Sequence, residues 1–200
     1  MDNNKMARVA KNFDTFAKVG DKIAVAAGIV CAVTAILTLI FGNKMFEAGT
    51  VTLDLDFVKF HLSSDTYVNM QFMKFYVCAA TLGGSVLCFL LSYICKVLGV
   101  ILAPMKMGRP FEKGTAKHLR KVGYAVLIGG LLNEVIGIIA RVLLINAYSI
   151  DELFTSTAIS KIEFVLTMNF DFVLIACVIF FLSYIFAYGQ VLQQDSDETL

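Results

Sequence analysis

The sequence predicts an all-α membrane protein, a four-helix transmembrane bundle with a small extracytoplasmic β-sheet built from two outer loops, and three observations carry that prediction. First, 58% of the 200 residues are hydrophobic and only 16% charged, with a mean hydropathy of +0.75. A water-soluble chain of this length cannot hide so much apolar surface. Second, four stretches reach the roughly 20 apolar residues that a helix needs to cross a hydrocarbon core of ~30 Å. Third, the net charge of +1 conceals a segregation of Lys and Arg along the chain, which sets orientation in a membrane.

The stretch 1–22 reads as a cytoplasmic amphipathic segment. Met6, Val9, Phe13 and Phe16 share one helix side, with Lys5, Arg8, Lys11 and Lys18 toward the other, a pattern suited to anchoring at acidic lipid. The first span is 23–41. A cleaved signal peptide is its competing reading, but the 22 residues before it are long for an n-region and no small-x-small cleavage site follows.

The first outer loop, 43–74, contains VTLDLDFVKFHL, in which Val51, Leu53, Leu55 and Phe57 alternate with Thr52, Asp54 and Asp56. That period of two predicts a strand, and the slip of phase at Val58 predicts a bulge. The second span is 75–102. It is followed by an inner loop, 103–121, where Pro104 and Pro110 are expected to separate the second helix from the third.

The third span, 122–145, differs from the others in carrying Glu134 and Arg141. The second outer loop, 146–171, ends in KIEFVLTMNFD, whose alternating Ile162, Phe164, Leu166, Met168 and Phe170 predict another strand. Neither strand is stable alone, so a sheet pairing the two outer loops is expected. The fourth span is 172–192, and 193–200 forms a cytoplasmic tail.

Orientation follows from the basic residues. Lys5, Arg8, Lys11, Lys18, Lys22, Lys106, Arg109, Lys113, Lys117, Arg120 and Lys121, eleven in all, flank one side, against Lys44, Lys59, Lys74 and Lys161 on the other. The excess places both termini and the middle loop in the cytoplasm, in a multi-pass protein of the cell membrane.

Spans two and four share a string, Leu91-Ser92-Tyr93-Ile94 and Leu182-Ser183-Tyr184-Ile185, at equal depth and in the same direction, which suggests an internal duplication. Small residues recur every fourth position, as Ala24, Gly28 and Ala32, as Ala27, Cys31 and Ala35, and as Ala80, Gly84 and Cys88. Such stripes let helices approach closely. Cys31, Cys78, Cys88, Cys95 and Cys177 all fall within spans and are expected as packing residues. No metal-ligand motif is present, His61 and His118 are expected on opposite sides of the membrane, and no cofactor is expected. The lack of external cysteines and of tryptophan argues against tetraspanin-like or claudin-like proteins.

Two groups of residues are candidates for function. Glu134 and Arg141, two turns apart on one helix face, form an intramembrane polar site with Asn133. Either they orient the bundle through partners such as Thr81, Tyr93 or Tyr184, or they line a proton or ion path. The second group is a cytoplasmic docking surface in which Arg109, Phe111, Arg120 and Lys121 of the basic loop meet Asp195, Asp197 and Glu198 of the acidic tail.

These last two segments also carry a resemblance. Gly108-Arg109-Pro110-Phe111, with Leu119-Arg120 entering the third span, and the closing YGQVLQQDSDETL resemble the domain of unknown function family 2975, uncharacterised bacterial membrane proteins, over nearly the whole chain. The resemblance implies a four-pass protein of the bacterial inner membrane, often encoded beside a helix-turn-helix regulator, and no established catalytic or ligand residue.

Three classes of function follow. A regulatory or sensory protein binding a cytoplasmic partner, such as that transcriptional regulator, fits the charged inner surface, with the lipid bilayer as the other partner and no direct nucleic-acid binding. A small transporter or channel component, acting as an oligomer, is the alternative and rests on Glu134 and Arg141. An enzyme is not expected, because no nucleophile with a base, paired carboxylates or metal ligands is present.

Overall fold

The computed structural model describes residues 3–45, 52–55, 58–61, 69–107, 112, 114–149 and 168–198. These form four long helices, α1 (Asn3–Met45), α2 (Met70–Lys106), α3 (Thr115–Tyr148) and α4 (Asp171–Glu198), with strands β1 (Thr52–Leu55) and β2 (Val58–His61) between the first two helices. All four helices are long and apolar enough to cross a membrane. The stretch 5–19 is not a separate helix, because α1 runs unbroken for 43 residues, roughly 65 Å at the helical rise.

The burial pattern is the reverse of that in a water-soluble bundle. Ile29, Val30, Ile36, Ile40, Leu174 and Phe181 are exposed, while Ala24, Ala35, Ser92, Ala125, Ala176 and Ser183 are buried. Large apolar side chains on the outside and small or polar ones inside suit a lipid solvent, where close helix packing replaces the hydrophobic effect. The chain is thus a candidate multi-pass membrane protein with four spanning helices.

Local chemistry sets the helix ends. The Asn69 side-chain oxygen accepts the Gln71 and Phe72 amides at 3.2 and 3.5 Å and caps α2. Asn169 does the same before α4, accepting the Asp171 amide at 2.9 Å. Gly114, with φ +103°, turns the chain into α3 in a conformation that a side chain would strain. Pro104 does not separate helices as expected. It lies inside the last turn of α2, where its carbonyl accepts the Met107 amide at 3.0 Å, and the helix ends two residues later.

The sheet also differs from expectation. β1 and β2 pair with each other, antiparallel, in the register Thr52↔His61, Leu53↔Phe60, Asp54↔Lys59 and Leu55↔Val58. The phase slip at Val58 is therefore the far side of a two-residue hairpin connection and not a bulge within one strand. A sheet joining the two loops is not supported. Of the second stretch, 161–167 lies outside the described residues, 168–170 is not strand, and 171 opens α4.

The chain divides into two compact units, one of Met1–Ile29, Ser85–Glu134 and Met168–Leu200, the other of Val30–Gly84 and Val135–Thr167. In the first, Val97, Ile101 and Val122 form an apolar core with Ile94, Leu98, Met105, Leu119, Val126 and Ile179 around it. There α3 and α4 meet through Tyr124 and Phe180, edge to face with centroids 5.0 Å apart. In the second, Ala35, Thr38, Ala147 and Tyr148 are fully buried. α2 approaches α3 closely enough there that a Cβ on Gly83 would lie 2.6 Å from Ile136.

Candidate functional site

The most polar interior of the first unit lies between α1 and α2. α1 turns inward at Ala10, Asp14, Ala17, Asp21, Ala24 and Gly28, alternating steps of four and three residues, with Asp21 the least enclosed. That spacing is the seam of an antiparallel helix pair, and small residues on it let the backbones come close. Two carboxylates interrupt it, Asp14 and Asp21, one heptad apart.

α2 answers with Ser85, Ser92, Gly99 and Lys106, also seven residues apart. The Ser85 hydroxyl donates to the Gly28 carbonyl at 3.0 Å. The Ser92 hydroxyl donates to Asp21, whose carboxylate also lies 3.7 Å from the Lys96 ammonium. Asp14 faces Gly99 and pairs with Lys106 of α2 and, at 2.9 Å, with Lys18 one turn along its own helix. Gly28, Asp21 and Asp14 thus form three successive rungs with Ser85, Ser92 and the Gly99–Lys106 turn.

The rungs differ in strength. The Asp14 side chain is only 8% exposed, the Lys106 side chain 30% and that of Lys18 70%, so Lys106 is the partner held out of water and Lys18 the one that solvent competes for. Without Lys106 the buried carboxylate keeps only the solvent-exposed Lys18, which makes the Lys106 contact the structurally costlier one to break. At Asp21 the hydroxyl-to-carboxylate bond dominates, because Lys96 is distant and largely exposed.

The repeated string takes part in this arrangement. Ser183 on α4, like Ser92 on α2, is buried, and its hydroxyl donates to the Ala116 carbonyl of α3 at 2.8 Å. Both serines therefore bond to the preceding helix, while the adjoining Tyr93 and Tyr184 are exposed. The acceptors differ, a carboxylate for Ser92 and a backbone carbonyl for Ser183.

The residues singled out from sequence fare unevenly. Glu134 is half-buried, and Asn133 and Arg141 are exposed. No described hydrogen bond or ion pair joins Glu134 to its expected partners. The Thr81 hydroxyl donates to the Val77 and Cys78 carbonyls of its own helix at 2.7 and 3.2 Å.

Arg120 and Lys121 are exposed at the start of α3, and Asp195 is exposed near the end of α4. Arg109 and Phe111 lie outside the described residues, as do the side chains of Asp197 and Glu198. Lys106, at the root of the basic segment, is held by Asp14 of α1. The cysteines are all free thiols, with Cys78 buried and Cys177 exposed. Among the described residues no group of His, Cys, Asp and Glu is placed to hold a metal ion.

Asp14, Asp21, Ser85, Lys96 and Lys106 were not singled out from sequence as a site. The signal was present as the heptad recurrence of Asp14, Asp21 and Gly28 against Ser85, Ser92, Gly99 and Lys106.

Compared with protein-family models, curated proteins and solved structures, the chain matches none.

Proposed function

We propose that the chain is a regulatory or sensory protein of the bacterial inner membrane, with both termini and the segment 103–121 in the cytoplasm, and that it docks a soluble protein there. The observation that carries this reading is the ion pair between Lys106 and the buried Asp14. Lys106 ends α2 and begins the basic segment 106–121, so that segment is tethered at its root to the N-terminal part of α1. Arg120 and Lys121, exposed at the other end of the segment, together with Arg109 and Phe111, form the docking surface. Asp195, Asp197 and Glu198 of the tail supply charges that compete for it. Exposed pairs of this kind contribute only ~0–1 kcal/mol each, weak enough for a partner to displace.

The test uses membranes containing the full chain and a helix-turn-helix protein encoded beside it, the partner the resemblance implies. Retention of that protein is expected to fall about tenfold when Arg120 and Lys121 are both changed to Glu, and to change when residues 195–200 are deleted. Retention insensitive to both changes overturns the docking reading. Ion flux through liposomes that depends on Glu134 would then favour the alternative, a small transporter or channel component.

A further inference from the structure

Two cavities in the first unit converge on the Asp14 rung. One, of about 630 Å³, is lined by Arg8, Lys11, Asp14, Thr15, Lys18 and Lys106. The other, of about 470 Å³, shares Asp14, Lys18 and Lys106 and continues over Ala17, Gly99, Val100 and Ala103 to Cys95 and the Asp21–Lys96 pair. The pair reads as one groove with a cationic mouth and a mainly apolar floor that also holds the Asp21–Lys96 pair. Four cations face a single carboxylate at the mouth, so a net attraction for anions survives after Asp14 is neutralised.

The depth of these groups identifies the kind of anion. Lys106 follows the apolar stretch of α2 by four residues, and Lys18 precedes that of α1 by five, distances of about 6 and 7.5 Å along a helix. The headgroup layer on each side of a bilayer is roughly 5–8 Å thick. Both ammonium groups converge on Asp14, which α2 meets between Gly99 and Lys106 at the end of its apolar stretch, with Gly99 and Val100 on the hydrocarbon side. Phe13 and Phe16, exposed on the same stretch of α1, add apolar surface at this level. A free phosphate ester would use the mouth alone, whereas a groove divided in this way matches an amphiphile.

We propose that the groove binds one anionic glycerophospholipid, its phosphate held by Lys18 and Lys106 with Lys11 and Arg8 around it, and its glycerol and upper acyl chain lying over Ala17, Gly99, Val100 and Ala103. Asp14 is a positioning residue. Its carboxylate holds the two ammonium groups in place and leaves their remaining N–H donors for the phosphate. The assignment requires membrane-spanning helices but no docked protein, so the partner-retention experiment and the lipid experiment fail independently.

The test is native mass spectrometry of the full chain in detergent micelles titrated with phosphatidylglycerol, with phosphatidylcholine of the same acyl chains, and with glycerol 3-phosphate as competitor. One phosphatidylglycerol should be retained at least tenfold more tightly than phosphatidylcholine. The combined K18Q and K106Q changes should weaken it about tenfold. Lys22→Gln, which removes an exposed cation outside the groove, should change it less than twofold. Ala103→Phe fills the floor at an exposed position without altering charge, and should weaken binding about tenfold even if the lysine variants fold poorly. Equal retention of the two lipids overturns the proposal, as does an equal loss in K22Q, which would indicate diffuse surface attraction. Displacement by glycerol 3-phosphate at equal concentration, or no effect of Ala103→Phe, would make this a site for a soluble phosphate ester and overturn the lipid assignment.

Discussion

The two compact units join their helices by different chemistry. In the unit of Met1–Ile29, Ser85–Glu134 and Met168–Leu200, side-chain oxygens reach across from one helix to the next, from Ser85 to Gly28, Ser92 to Asp21 and Ser183 to Ala116, with Asp14 closing on Lys106. In the unit of Val30–Gly84 and Val135–Thr167, the Thr34, Thr38, Thr81 and Asn146 side chains all donate to carbonyls of their own helices. Between helices, close apolar contact such as Gly83 on Ile136 serves there, as Gly123 on Phe180 and Gly129 on Leu90 also do in the first unit. A membrane interior accepts both solutions, because either leaves few polar groups unsatisfied. The difference is one of adjustability, since an ion pair beside an open groove can exchange partners and a glycine contact cannot.

The largest expected effect concerns the proposed orientation of the chain. Single cysteines at Ser64 and Ser156, in a chain otherwise free of cysteine, are expected to react with an impermeant maleimide from outside the cell, and one at Ser196 to stay unlabelled until the membrane is opened. Labelling of Ser196 in intact cells would break the proposed cytoplasmic placement of the tail.

Next in size is overpacking of the second unit. Gly83→Leu should lower its stability by about 1–3 kcal/mol, and adding Ile136→Ala should recover part of that loss, measured by thermal unfolding in detergent. Recovery absent in the double variant would mean that the two helices are not held by that contact.

Smaller effects separate the two kinds of hydroxyl. Ser92→Ala should cost about 1 kcal/mol, the upper range for an interhelical bond in a membrane protein, whereas Thr38→Val should leave the midpoint unchanged within error because its hydroxyl bonds only to its own helix. Equal costs would erase the contrast between the units. Smallest is Tyr148→Phe. The Tyr148 hydroxyl is buried without a partner among the described residues, so its removal should be neutral or raise stability by up to about 1 kcal/mol. A clear loss would reveal a polar contact there.

What the sequence disclosed divides along the same lines. The four spans were legible because lipid demands about 20 uninterrupted apolar residues, and the small-residue stripes of α1 and α2 were legible because backbone approach demands them. The Asp14 rung was not, because the orientation rule weighs Lys and Arg and gives little weight to acids. Asp14 and Asp21 were thus passed over while the lysines beside them were counted. The β1–β2 hairpin was misplaced for a related reason. Alternation in 51–57 and 58–61 specifies two faces, but not whether a strand pairs with its neighbour in sequence or with a distant loop. The Ser92 and Ser183 strings were seen as a repeat, yet their shared task of bonding back to the preceding helix needed the helix pairs themselves.

The central claim, that α1 and α2 run antiparallel along a heptad seam through Asp14, Asp21 and Gly28, is tested most directly by a disulfide. A Cβ at Gly28 would lie 3.3 Å from the Cβ of Cys88, close to the separation a disulfide spans. With the other four cysteines replaced, Gly28→Cys is predicted to cross-link to Cys88 in more than about half of the molecules under mild oxidation in native membranes, while Ile29→Cys, on the exposed face, stays reduced. Cross-linking from position 29 as readily as from position 28, or a free thiol pair at 28 and 88, would contradict the seam.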